Sequence, residues 1–150
     1  MPLDINCSDF DKLHAHLKLS EEMLDDALYG LNDNRLRLFQ SRSYYACVHS
    51  INALFYLYGI LNEKNGILNH RGLKTAFNTI FIYKECIFDS SLFAILRDSS
   101  DRRDKADYKV DVFFSKEASL KNYDKVKFFV DTLKNKIETE LEKINKHIQQ

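Results

Sequence analysis

The chain is short of the residues that punctuate structure: of 150 residues only four are Gly and one, at position 2, is Pro. An all-β domain needs a turn roughly every 8–12 residues, so this scarcity argues against a sandwich or barrel and for helices. Trp is absent, and Cys is limited to Cys7, Cys47 and Cys86. Three widely spaced thiols without a C-x-x-C pair make neither a disulfide framework nor a zinc knuckle, and they read as reduced thiols of a cytoplasmic protein. No stretch approaches about 18 apolar residues, and Met1-Pro2-Leu3-Asp4-Ile5-Asn6 has neither a basic n-region nor an apolar h-region, so neither a membrane span nor a secretory leader is expected. An excess of one charge is missing too, since Lys+Arg and Asp+Glu stand at 22 each. No global positive field steers the chain onto nucleic acid, and any RNA or DNA site must be local.

What is present suits one helical core. Apolar residues make up 45% of the chain, and eleven Phe with eight Tyr supply large packing units that dispense with staples. The length predicts a single domain over residues 1–150, with its core within about 10–145. From about Asp9 to Leu31, Leu13, Leu17, Leu24, Ala27, Leu28 and Leu31 fall three and four apart, one face of a helix. A second pattern, capped by Asp33 or Asn34, runs through Tyr44, Cys47, Val48, Ile51, Leu54, Phe55 and Tyr58 to Gly59, and its wide apolar band predicts a central position. Residues 59–69 form a connection, Asn69 caps a shorter helix from His70 to about Phe81, and Asp89-Ser90-Ser91 caps another. The pattern breaks in the charged stretch 99–108, which reads as a turn or the frayed start of a helix. From about Lys116 to Ile148 a long amphipathic helix carries Lys and Glu outside. The expectation is an all-α, antiparallel four- to five-helix bundle.

Three places concentrate polar residues that a core does not need. Arg42, Tyr45 and His49 lie three and four apart on the second helix and share one face; they either satisfy one another and their neighbours within the bundle or line a groove. Asn69-His70-Arg71-Gly72 opens a helix, where backbone N–H groups and basic side chains suit a phosphate, although many surface helices begin this way. In Arg102-Arg103-Asp104-Lys105-Ala106-Asp107-Tyr108, Arg103 and Asp107 stand four apart, a spacing that lets the carboxylate fix the guanidinium; the same run also reads as a solvated charged face. His14 and His16 are two apart on a helix and point to different faces, and no His, Asp, Glu or Cys set has metal-ligand spacing, so neither a metal nor a cofactor is expected.

The string Arg42-Ser-Tyr-Tyr-Ala-Cys-Val-His49, then His70-x-Gly72 with Phe77 five residues on, then Arg103-x-x-x-Asp107-Tyr108 and a long C-terminal helix together resemble the HEPN superfamily, all-α domains named for nucleotide binding in higher eukaryotes and prokaryotes. The resemblance implies a dimeric helical bundle of a prokaryotic toxin–antitoxin, antiphage or CRISPR-related system, acting as a metal-independent endoribonuclease or beside a small nucleotidyltransferase. The family's signature is an Arg followed after four to six residues by His. Here it begins at Arg103, and Tyr108 stands where the His is expected, as in a subgroup with Arg-x-x-x-Asp-Tyr.

A metal-independent ribonuclease needs a base for the ribose 2′-OH and a cation for the developing phosphorane. By resemblance Arg103 and Tyr108 are the catalytic candidates. His49, separated from Arg42 by six residues, is a substitute base if its face meets Arg103 across a cleft. Arg42, Tyr45, His70, Arg102 and Asp107 are the candidates for holding phosphate or RNA, and dimerisation is a second way to complete a groove. The alternative is a non-catalytic nucleotide-binding or adaptor subunit that partners a nucleotidyltransferase or antitoxin, with Tyr108 as a nucleotidylation acceptor by resemblance. The blandest alternative is a helical homodimer whose polar motifs are structural.

Overall fold

Asn6 opens the first helix of the computed structural model, which describes residues 1–3 and 5–149. Its side-chain oxygen accepts from Asp9 N at 2.8 Å and satisfies one of the free donors of α1 (Cys7–Asn32). Leu13, Leu24, Ala27 and Leu31 form the buried face of α1. The next helix, α2 (Leu36–Leu57), buries Phe39, Tyr44, Cys47, Ile51, Leu54 and Phe55, and it packs against three other long helices, the central position its apolar band predicts.

Neither Asp33 nor Asn34 caps α2, as the sequence pattern suggested. Arg35 precedes that helix without a side-chain cap bond, Asn34 sits in the left-handed region at φ 58°, and the Asp33 carboxylate accepts from Arg35 Nε at 2.6 Å. The reversal between two long helices is so short that it requires one left-handed residue, which Asn tolerates. It also requires close approach: a Cβ on Gly30 would lie 3.2 Å from both Arg35 O and Phe39 N.

The short α3 (His70–Ala76) begins at Asn69, whose side-chain oxygen accepts from Gly72 N at 2.7 Å. It passes without a break into a π-helical segment, Phe77–Lys84, where an α-helix to about Phe81 was expected. Phe77, Phe81 and Ile82 are the buried positions there. A five-residue step in an α-helix rotates roughly 140° away from the starting face, whereas i→i+5 bonding brings Ile82 back toward Phe77. The Phe77 and Phe81 rings then stack at 6.0 Å, and Phe77 meets Phe129 at 5.6 Å.

The charged stretch 99–108 is neither a turn nor a helix start; it is the C-terminal half of α4 (Ser90–Tyr108), which Asp89 caps through Ser91 N at 2.9 Å. The inward positions Ser99, Ser100, Arg103 and Ala106 keep helical spacing, but they are small or amphipathic, so a search for large apolar residues passes over them. Ser115 Oγ accepts from Ala118 N at 3.1 Å at the start of α5 (Lys116–Gln149), whose Val126, Phe129, Val130, Leu133 and Ile137 close the core.

Pairings across the helices define their directions. Lys12 meets Tyr56, His16 meets His49 and Ser20 meets Ala46, so α1 and α2 are antiparallel. Arg37 meets Ala106 and Tyr44 meets Arg103, so α4 runs against α2. The Glu21–Lys134 ion pair, with Tyr123 near Asp25 and packed against the Ala27, Leu31 and Phe39 cluster, sets α5 against α1. The chain is therefore an all-α bundle of four long helices running up-down-up-down, with α3 and its π-helical extension between α2 and α4, and no strand occurs among the described residues. No described helix is long and apolar enough to cross a membrane.

Candidate functional site

Consecutive residues of a helix point about 100° apart, so Tyr44 is fully buried while Tyr45 next to it is only half-buried. Their rings meet at 5.6 Å and form a corner. From α4, the Arg103 guanidinium lies over both, 5.2 Å from the Tyr44 ring centroid and 5.7 Å from that of Tyr45. A cation over two aromatic faces is attracted by their quadrupoles, and the contact tolerates Arg103 at only 7% exposure. Its Nη1 also stands 3.6 Å from carboxylate oxygens of Asp104 and of Asp107, one helical turn on.

The opening of α3 brings His70 to the same corner. Its Nδ1 is 2.9 Å from Tyr44 Oη, and its ring lies 5.4 Å from Tyr44 and 5.9 Å from Tyr45. One turn further along, Lys74 Nζ donates to Ser100 Oγ at 2.9 Å, which ties α3 to α4. Tyr44, Tyr45, His70, Lys74, Ser100 and Arg103 thus form one polar cluster where α2, α3 and α4 meet.

Its electrostatics favour a neutral imidazole beside two cations. Burial lowers the His70 pKa, the neighbouring Arg103 and Lys74 charges lower it further, and Asp104 opposes them. Burial raises the Tyr44 pKa against the opposing pull of Ser100 and Arg103, so its hydroxyl stays protonated. For Arg103, burial works against the charge, but Tyr45, Asp104, Tyr44 and Asp107 outweigh it and hold the guanidinium above its ordinary value. At neutral pH the cluster offers a fixed guanidinium, an ammonium and an uncharged imidazole.

Of the residues singled out in the sequence, Tyr45, His70, Arg103 and Asp107 come together. His49 goes elsewhere. It faces α1, its Nδ1 3.0 Å from His16 Nδ1, with the His16 ring stacked 5.6 Å from Tyr56. Burial lowers the pKa of both histidines, and the neighbouring His49 helps push His16 down to about 4. Tyr108 is the last residue of α4, and its side chain is 75% exposed. Arg42 is half-buried on α2, and it enters no ion pair among the described residues. Arg102 turns away from the Arg103 corner into a cleft against α5, where its Nε is buried without a partner.

Sequence reasoning missed Lys74, although its four-residue step from His70 is legible, and it missed Ser100 and His16, which acquire partners only through the packing of helices. Arg37 was missed as well. Its guanidinium donates to Ala106 O at 2.7 Å and to Val112 O at 2.6 Å and lies over the Phe114 ring, closing the end of α4 and pinning the connection to α5.

Among the described residues no three His, Cys, Asp or Glu side chains gather where they could hold a metal ion. No protein-family model matches the chain, and no curated protein matches it.

Proposed function

We propose that the protein is a HEPN-like, RNA-directed member of a prokaryotic toxin–antitoxin or antiphage defence system, working as a homodimer, and that its site is the Tyr44–Tyr45–His70–Lys74–Arg103 cluster. The observation that carries this reading is the meeting of Arg103 with a neutral histidine, His70, on a shared tyrosine corner. The histidine that the Arg103-x-x-x-Asp107-Tyr108 string lacks is supplied from another helix.

With Nδ1–H donating to Tyr44 Oη, His70 Nε2 is left unprotonated and can take the proton of a ribose 2′-OH. The 2′ oxygen attacks phosphorus, Arg103 and Lys74 hold the phosphorane charge, and the departing 5′ oxygen takes a proton from the Tyr45 hydroxyl. The products are a 2′,3′-cyclic phosphate and a 5′-hydroxyl. His70 passes its proton to solvent, from which Tyr45 is reprotonated.

Incubating the purified protein with mixed structured and single-stranded RNA in EDTA, followed by end mapping, tests this reading. Cleavage with cyclic-phosphate ends, lost in Arg103→Met, supports it. The absence of cleavage by the wild type at micromolar protein sinks the catalytic form.

A second reading is favoured by the 7% exposure of Arg103, already engaged by two rings and two carboxylates. In that reading the cluster is a rigid non-catalytic nucleotide or adaptor surface for a nucleotidyltransferase or antitoxin, and the exposed Tyr108 hydroxyl is the acceptor. RNA binding without cleavage, together with nucleotidylation at Tyr108 by a partner enzyme, distinguishes it.

A further inference from the structure

A cleft of about 350 Å³ lies where the C-terminal half of α4 faces the start of α5 and their connection, lined among others by Gln40, Arg102, Lys105, Phe113, Phe114 and Asn122. It falls within the size range of small-molecule sites, and it is separate from the Arg103 corner. Gln40 is 1% exposed, and its Oε1 is buried with no hydrogen-bond partner. With Ser119 Oγ–H donating to Ser115 O at 2.8 Å, the same hydroxyl accepts from Gln40 Nε2 at 3.1 Å, and Oε1 is the atom left over.

An unmet buried acceptor costs about 1–3 kcal/mol, and two further features of the cleft lack partners. Arg102 Nε is buried without an acceptor, and Arg102 enters no ion pair among the described residues, with Asp98 and Asp101 nearby but unbonded. Phe113 presents a ring that is 92% exposed, on a connection that Arg37 holds in place through Val112 O. The cleft is therefore lined by a side chain whose buried acceptor has no donor, a guanidinium that bonds no carboxylate, and an aromatic face with nothing stacked on it.

We propose that this cleft binds a small ring-bearing organic acid that carries an N–H donor. The acid group pairs with Arg102 and Lys105, the N–H donates to Gln40 Oε1, and the ring stacks on Phe113. Carboxylate and phosphate sources share this chemistry, and 4-aminobenzoate and adenosine 5′-monophosphate are the probes that separate them. The proposal does not depend on the RNA reading of the Arg103 corner.

Titration of the full chain by calorimetry and amide NMR, with benzoate as the acid without a donor and aniline as the donor without an acid, tests the site. One of the two probes is expected to shift the Phe113, Ala118 and Asn122 amides and to bind about tenfold more tightly than its donor-free or acid-free control. Gln40→Leu removes the unmet acceptor, so its thermal midpoint should hold or rise while probe binding falls to the level of benzoate; Arg102→Gln should weaken both acids. The proposal is overturned if neither probe binds at millimolar concentration, or if binding is indifferent to both substitutions. A Gln40→Leu variant that is stabilised while the wild type binds no probe would mark the acceptor as satisfied by water alone, and that also overturns it.

Discussion

Replacing Arg37 with Ala should destabilise the bundle while leaving its buried apolar core untouched. The guanidinium makes two short bonds, 2.7 Å to Ala106 O and 2.6 Å to Val112 O, and two long ones of 3.5 Å to Lys105 O and Val110 O. A hydrogen bond from a charged donor contributes about 1.5–3 kcal/mol. Arg37 is half-buried, so water can rehydrate part of what it leaves, and the lower end of that range applies to each short bond. Two such bonds give about 3 kcal/mol in all. For a chain of this length that corresponds to a fall in Tm of about 6–12 °C, to be measured by circular dichroism with urea unfolding as a second readout. Arg37→Lys keeps the charge but not the fork, and it should recover roughly half of the loss. Amide exchange in residues 109–115 should quicken in both variants, because the end of α4 and the connection lose their shared donor. An Arg37→Ala protein within about 2 °C of the wild type, with unchanged exchange there, would refute the assignment of this side chain as the clamp.

Acidification should weaken the fold through the His16–His49 pair. Both histidines have folded-state pKa values below the unfolded value, His16 at about 4, so the unfolded chain binds protons that the folded chain refuses; the associated stability is full above pH about 6.5 and is lost as pH falls toward 4. Both are half-buried, and solvent screening brings the His16 contribution to about 1–2 kcal/mol. His16→Gln should flatten the dependence of the urea midpoint on pH over that interval, and an unchanged slope in the variant would count against the pair. Arg103→Met, which keeps the stem between α2 and α4 but gives up the contacts with two rings and two carboxylates, should lower Tm by a few degrees and yet abolish RNA binding by the protein that remains folded; a loss of binding that the unfolded fraction accounts for would mark Arg103 as purely structural.

Much of the architecture was legible because large apolar residues carried it: Leu13 to Leu31 on α1, the wide band of α2, and Tyr123 to Ile137 on α5 keep helical spacing and are the faces that pack. The end of α4 was not legible, because its inward face is Ser99, Ser100, Arg103 and Ala106, and a polar face buried by hydrogen bonds and ring contacts has no hydropathy signature. The π-helical turn was equally hidden, since it exists to bring Phe77, Phe81 and Ile82 to one side. Within the site, the Arg103–Asp107 step was readable as a four-residue spacing, and His70 stood out as a basic residue at a helix start. The partner of Arg103 was not readable: spacing offered His49 as the base and His70 only as a phosphate ligand, and which of them meets Arg103 depends on how the helices are placed. Packing sends His49 to His16 on α1 and His70 to Tyr44 beside Arg103.

The most direct test of that division is the rate of RNA cleavage in EDTA, at neutral pH, by the wild type, His70→Asn and His49→Asn, each first shown to be folded. With His70 as the base, His70→Asn should lose at least about a hundredfold in rate, while His49→Asn stays within a fewfold of the wild type and still yields 2′,3′-cyclic phosphate ends. Cleavage that survives His70→Asn, or that disappears in His49→Asn instead, would contradict the placement of the catalytic base at the Tyr44–Arg103 corner.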